Sequence, residues 1–172
     1  KRRYTFPMHN EIYHLSEQLG RALSQKRATV TSAESCTGGG VAQAITSVAG
    51  SSGWFNRSFI TYANSAKQEM LGVDEALLEE HGAVSESVVV SMASGAAQRA
   101  AADYAVAISG IAGPNGGTED KPVGTVWFAW LSPDGVMTRK YHLTGDRHSV
   151  REQAVEISLQ ELLHQVTGCN TV

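Results

Sequence analysis

The stretch Ala28-Thr29-Val30-Thr31-Ser32-Ala33-Glu34-Ser35-Cys36-Thr37-Gly38-Gly39-Gly40-Val41-Ala42-Gln43-Ala44-Ile45 changes character twice along its length. Its apolar and β-branched opening, Ala28 to Ser32, reads as a strand. Small hydroxyl residues and three glycines follow, and Gly39 to Val48 reads as a helix. A strand that turns through glycines into a helix sets a hydroxyl beside free backbone N–H groups, at the positive end of the helix macrodipole. Such a corner suits an anion, or a nucleophile with an oxyanion hole beside it.

Working outward, the same alternation continues. His9 to Lys26 reads as a helix, with Ile12, Leu15, Leu19 and Leu23 at helical spacing. Ala49 to Gly53 is a loop rich in turn residues. Phe59 to Tyr62 reads as a strand that leads into a loop, Ala63 to Lys67. Asp74 can cap a short helix over Glu75 to His81, which Gly82 stops. Ser87 to Ala102 reads as helix despite Val88-Val89-Val90, because a run rich in alanine follows. Tyr104 to Ser109 is an apolar strand of the fully buried type, ending in a Gly/Pro loop from Gly110 to Pro122. Gly124 to Leu131 and Val136 to Leu143 read as a hairpin about the turn Ser132-Pro133-Asp134-Gly135. Ser149 to Val166 closes as a helix, with Val155, Leu159, Leu162 and Val166 on one stripe.

Strand–helix alternation with one late hairpin predicts an α/β fold, a three-layer α/β/α sandwich whose sheet is mixed and mostly parallel. The expectation is one domain over residues 9–168, after a loose lead-in at 1–8. In such sheets the site lies beyond the carboxyl ends of the strands. Three informative loops follow strands here: Glu34 to Gly40, Ala63 to Lys67 and Gly110 to Gly117.

Composition narrows the partners. The 172 residues, 42% hydrophobic and 18% charged, suit an ordinary globular domain with a proper core. A net charge of −3 gives no footprint for nucleic acid. No run approaches a membrane span, and Met8-His9-Asn10-Glu11 interrupts the basic opening Lys1-Arg2-Arg3 where a signal peptide needs an apolar core. Cys36 and Cys169 make neither a disulfide framework nor a zinc site, so a reducing, cytoplasmic setting is expected. The six histidines show no metal spacing, and none is assigned to a ligand.

Several residues could carry chemistry. Ser35 is a nucleophile at a strand-to-helix turn or an N-cap serine, and caps far outnumber nucleophiles. Cys36 is the rival nucleophile, or a small thiol packed under the turn. Lys67 can serve a serine as base if it is desolvated and neutral; most lysines are solvated instead. Tyr62 and Lys67 stand five apart, which argues against the Tyr-x-x-x-Lys pair of short-chain dehydrogenases, and no Gly-x-Gly-x-x-Gly accompanies them. Ser-x-x-Lys fails at Asn64. The loop Ser109-Gly110-Ile111-Ala112-Gly113-Pro114-Asn115-Gly116-Gly117 allows close backbone approach and could form an anion nest. Arg147 and Arg151, at the start of the last helix, can hold a phosphate or carboxylate.

Taken together, the segments resemble the CinA C-terminal domain family. The match rests on Ala33-Glu34-Ser35-Cys36-Thr37-Gly38-Gly39, Ala49-Gly50-Ser51-Ser52, Thr61-Tyr62-Ala63-Asn64 with Lys67, and Gly82-Ala83-Val84-Ser85. It continues through Ser109-Gly110-Ile111-Ala112-Gly113-Pro114 with Gly116-Gly117, Lys121-Pro122-Val123-Gly124-Thr125-Val126, and Gly145-Asp146-Arg147 with Arg151. These run in family order from about Glu11 to Val166. The resemblance implies a five-stranded sheet and the activity of the family's stand-alone members. That activity is hydrolysis of the carboxamide of nicotinamide mononucleotide to nicotinate mononucleotide and ammonia, a step in pyridine nucleotide recycling. The family's nucleophilic Ser falls on Ser35 and its Lys on Lys67, with Tyr62 beside it, which reverses the cap reading of Ser35. Some members carry Thr where this chain has Ser109, so a hydroxyl is kept. A homodimer is also implied.

The chemistry expected from these residues needs no metal or organic cofactor. Neutral Lys67, directly or through Tyr62, takes the proton of Ser35, and backbone N–H groups of Cys36, Thr37 and Gly38 stabilise the oxyanion. The loop with Gly110, Gly113 and Gly116, and Arg147 or Arg151, would hold the substrate phosphate, with Ser51, Ser52 and Ser109 adding hydroxyl contacts. Two alternatives stand beside this reading: a nucleotide-sensing or partner-binding module without catalysis, and an amidase for another small amide.

Overall fold

The computed structural model describes residues 10–168. The expected lead-in at 1–8 and Cys169 lie outside the described residues. In chain order the elements are α1 (Asn10–Lys26), β1 (Val30–Glu34), α2 (Gly40–Thr46), a 3₁₀ turn (Ser51–Gly53), β2 (Phe59–Ile60) and α3 (Asn64–Leu71). Then come α4 (Glu75–His81), α5 (Glu86–Ala100), β3 (Tyr104–Gly110), β4 (Thr125–Ser132), β5 (Gly135–His142) and α6 (Arg147–Thr167).

The strands form one sheet in the order β2-β1-β3-β4-β5. β1 pairs in parallel with β2 and β3, while β4 is antiparallel to both β3 and β5. β5 therefore runs with the first three strands, and β4 alone opposes them. The sheet is mixed and mostly parallel in direction, as the alternation predicts.

Period-two alternation along the strands builds two unlike faces. Val106 and Ile108 on β3, with Phe128 and Trp130 on β4, pack large side chains against α1, α2 and α6. Ala33, Ala107 and Ala129 turn the other way, toward α3, α4 and α5. Small residues line the middle of the second face, with Phe59, Trp127 and Leu131 around them, and α5 packs there through Val88, Val89, Met92, Ala93 and Ala96, all fully buried. α5 also lies close to α3: a Cβ on Gly95 would fall 2.1 Å from the Leu71 carbonyl oxygen, so only glycine fits there.

The stretch Ala63 to Lys67, read as a loop from sequence, opens α3 instead. Ala63 supplies no side-chain cap, and the buried positions of α3 are Lys67 and Leu71, one turn apart. A lysine on the buried stripe hides the amphipathic pattern that would announce the helix. Among the described residues no helix is long and apolar enough to cross a membrane.

Candidate active site

Alternation decides where the hydrophilic end of β1 goes. Ser32 and Glu34 share one face, and Glu34 turns toward α2. Ser35, the next residue, keeps the parity of Thr31 and Ala33 and turns toward α3. The ladder continues past the end of β1, because Ser35 N–H donates to Ile108 O and Thr61 N–H to Glu34 O. The registers Glu34↔Ile60 and Glu34↔Ile108 set Ser35 in one row between Thr61 and Ser109.

Glu34 is fully buried, and its carboxylate is the cap of α2. Oε2 accepts from Thr37 Oγ1, Gly39 N–H and Val41 N–H, and Oε1 accepts from Ser32 Oγ and Ala42 N–H. The anion at this helix N-terminus is thus the chain's own. The turn is tight enough to need left-handed backbone at Gly38 (φ 59°) and Gly39 (φ 99°). Ser35 does not cap the helix: the N-cap position is Gly39, which makes no side-chain bond.

Lys67 reaches Ser35 from the opposite helical layer. A helical side chain leans toward its own N-terminus, which brings the amine back over the residues preceding α3. Nζ lies 2.8 Å from Thr61 O, 3.1 Å from Tyr62 O and 3.2 Å from Ser35 Oγ. Lys67 is 1% exposed. Among the described residues no carboxylate pairs with it, and burial pulls its pKa below the ordinary 10.5. A neutral amine has two N–H bonds and one lone pair. Nζ stands where it can donate to both carbonyls and to Ser35 Oγ; with its two N–H bonds on the carbonyls, a neutral amine would turn that lone pair to the Ser35 hydroxyl. Cys36 has the opposite character: burial pushes its thiol up to about 11, which keeps it protonated and a poor nucleophile at neutral pH.

These groups open into a pocket of about 180 Å³. Ser35, Cys36 and Lys67 form its reactive wall, with Tyr62 and Asn64 at the start of α3. Ala83 and Val84, between α4 and α5, face Ser109, Gly110 and Ala112 at the end of β3, and Arg147 closes the rim. The pocket is in the size range of a cavity of ~150 Å³, which holds one benzene-sized ring.

The other residues expected at the site divide. Tyr62 gives Lys67 its carbonyl, but its phenol is 62% exposed and its hydroxyl accepts from Arg147 Nη2 at 3.2 Å. The contact between Lys67 and Ser35 is therefore direct and needs no phenol relay. Arg147 Nη1 donates to Gly113 O at 2.8 Å, tying the rim to the loop after β3. Gly113 and Gly116 do not line the pocket. Thr37 spends its hydroxyl on Glu34, and Gly38 spends its N–H on Ser35 O. Arg151 donates from Nε to Cys36 O (3.0 Å) and from Nη2 to Thr37 O (3.1 Å).

Ser51 and Ser52 lie apart from the other residues expected at the site. Trp54 N–H bonds Ser51 O, and Val30 N–H bonds Trp54 O, so the 3₁₀ turn sits where β1 begins. Ser35 lies five residues further on, roughly 16 Å at ~3.3 Å per residue. Neither serine reaches the pocket within this chain. The residue that sequence reading missed is Glu34. Its signal was a carboxylate directly before a Gly-rich helix start, where a helix favours negative charge.

Fold and site define a class: a three-layer α/β/α domain with a buried serine–lysine pair at the carboxyl edge of its sheet. The chain belongs to the CinA family: the CinA C-terminal domain model matches residues 12–166. It is 59% identical over 157 residues to the nicotinamide-nucleotide amidohydrolase PncC of Escherichia coli (strain K12), covering 91% of this chain and 95% of that protein. It is 50% identical over 152 residues to the Pseudomonas putida protein of the same name, with 88% and 95% coverage. Among solved structures, a CinA superfamily protein from Klebsiella pneumoniae 700603 superposes with a TM-score of 0.88 at 37% identity, covering 92% of this chain and 99% of that one.

Proposed function

We propose that this chain is a nicotinamide-nucleotide amidohydrolase, which hydrolyses the carboxamide of nicotinamide mononucleotide to nicotinate mononucleotide and ammonia and so serves pyridine nucleotide recycling. The observation that carries the chemistry is the buried Lys67 amine, 3.2 Å from Ser35 Oγ and without a carboxylate partner among the described residues. The names of the two relatives, matched over nearly their whole length, support the substrate.

The Lys67 lone pair takes the Ser35 proton as Oγ attacks the carboxamide carbon. The N–H groups of Cys36 and Thr37, with no oxygen acceptor among the described residues, stabilise the oxyanion. Collapse breaks the C–N bond as the Lys67 ammonium protonates the departing amino group, which leaves as ammonia. Water then gives a proton to Lys67 and attacks the acyl-enzyme. The acid is released, and Ser35 recovers its proton. The nicotinamide ring fills the pocket, and ribose and phosphate extend over the rim toward Arg147, near Tyr62 and the loop after β3. The same reading carries a cytoplasmic homodimer built on one domain. The free, buried thiol of Cys36 suits a reducing compartment.

The test is ammonia release from nicotinamide mononucleotide by the purified chain in chelator, beside Ser35→Ala. Turnover lost in a folded variant is the expected result. Turnover retained by the variant refutes the nucleophile. Binding without turnover in the wild type favours a nucleotide-sensing module.

A further inference from the structure

Arg151 has no assigned role beyond the expectation that it binds phosphate, and its contacts point elsewhere. It belongs to α6, in the layer with α1 and α2, whereas Lys67 belongs to α3 in the opposite layer. The turn Ser35 to Gly38 lies between them. From its side Arg151 grips two successive carbonyls, Cys36 O at 3.0 Å and Thr37 O at 3.1 Å. In a trans peptide the C=O and N–H point in opposite directions. With both carbonyls drawn toward α6, the N–H groups of Thr37 and Gly38 turn the other way, toward the α3 side that holds Ser35 and Lys67. Gly38 N–H is taken by Ser35 O. Thr37 N–H is left with no oxygen acceptor among the described residues, and the peptide geometry turns it to the side of Ser35.

We infer that Arg151 is the positioning residue of the oxyanion hole: its guanidinium fixes the Cys36–Thr37 peptide so that Thr37 N–H is presented to the tetrahedral intermediate. The inference rests on reading Ser35 as the nucleophile. The geometry suits a guanidinium and not an ammonium, because two N–H bonds of one rigid fork meet two carbonyls in fixed positions. The positive charge polarises the same peptide, which strengthens Thr37 N–H as a donor where negative charge develops. Glu34 completes the setting by holding the Thr37 hydroxyl and the α2 N–H groups, so the turn cannot rotate as a unit. Arg151 touches neither substrate nor reacting atoms in this arrangement.

Two measurements on the full chain separate this role from phosphate binding. One is steady-state hydrolysis of nicotinamide mononucleotide. The other is the second-order rate at which a small alkyl fluorophosphonate labels Ser35, read by mass spectrometry. In labelling, the Ser35 Oγ–P bond forms, the P–F bond breaks, Lys67 takes the hydroxyl proton and fluoride leaves. The phosphoryl oxygen occupies the oxyanion position, and the probe carries no nucleotide phosphate. For Arg151→Met, kcat and the labelling rate should both fall about 10²-fold, the order of one lost oxyanion donor, with KM nearly unchanged. Arg151→Lys should fall between, since one ammonium restores charge but not the fork.

A raised KM with unchanged labelling would make Arg151 a phosphate ligand and overturn the inference. Unchanged values in both assays would overturn it too. If Arg151→Met does not fold, Arg151→Lys decides by the same two rates. A wild type that labels at Ser35 but leaves the nucleotide intact would refute the substrate while labelling still judges Arg151. A wild type that does not label at Ser35 would remove the nucleophile and the inference with it.

Discussion

Replacing Glu34 by glutamine tests whether the internal anion holds the nucleophile turn. The five donors divide two to Oε1 and three to Oε2. An amide can keep the larger set by placing its oxygen at the Oε2 site. Its nitrogen then stands at the Oε1 site, facing Ala42 N–H donor to donor, while the Ser32 hydroxyl can turn to accept. One part-buried backbone N–H, that of Ala42, loses its partner, at about 2 kcal/mol. For a chain of this length that is roughly 4–8 °C in Tm. Glu34→Ala strands three N–H groups and the Thr37 hydroxyl together, about 5 kcal/mol or more. That approaches the whole stability of a modest domain, about 5–15 kcal/mol. Urea unfolding followed by circular dichroism, with thermal melts alongside, should rank wild type above Glu34→Gln and Glu34→Ala far below. A glutamine variant within about 0.5 kcal/mol of wild type, below the range expected for an orphaned donor, would refute the reasoning. So would glutamine and alanine variants that are equally damaged.

Two further outcomes follow from the ionisable groups. Because burial lowers the Lys67 pKa and the proposed base is the neutral amine, kcat/KM should rise with pH through that ionisation and level off below 10.5; activity that falls over the same range would make the ammonium the working form. The linked stability has the same sign. Between the lowered pKa and 10.5 the unfolded chain holds a proton that the folded chain has lost, so urea midpoints of wild type should gain on Lys67→Met as pH rises. Cys36→Ala should keep turnover close to wild type, since a thiol near 11 is not the nucleophile; a loss as deep as that of Ser35→Ala would move the nucleophile to sulfur.

Much of this architecture was legible in the sequence because the relevant signals are local. Apolar strands, alanine-rich helices and the Pro133-Asp134 hairpin each declare themselves within a few residues, and Ser132 pairs with Gly135 as the turn requires. Ser35 and Lys67 were legible as chemistry, although the sequence alone weighed Ser35 as a cap. What escaped depends on partners distant in the chain. The helix α3 hid behind Lys67, whose place on a buried stripe makes sense only once Thr61 O, Tyr62 O and Ser35 surround it. Arg151 looked like a phosphate ligand because arginine at a helix start often is. Its contacts in the fold are carbonyls more than a hundred positions earlier in the chain, which no local pattern announces. Ser51 and Ser52 stood close to Ser35 in sequence, but α2 carries the chain back to the opposite edge of the sheet before they occur.

The alternation at the end of β1 places two neighbouring side chains in opposite layers, and their roles depend on which layer each meets. Deleting one residue within the strand would exchange them. Glutamate would then meet the Lys67 amine, and the serine would turn to the helix start. A carboxylate beside that amine favours the ammonium, so a reactive pair would become an inert ion pair without the loss of either side chain. The chemistry proposed for this corner is thus a property of phase as much as of composition. Insertions and deletions in β1 should be tolerated far less than substitutions at the same positions.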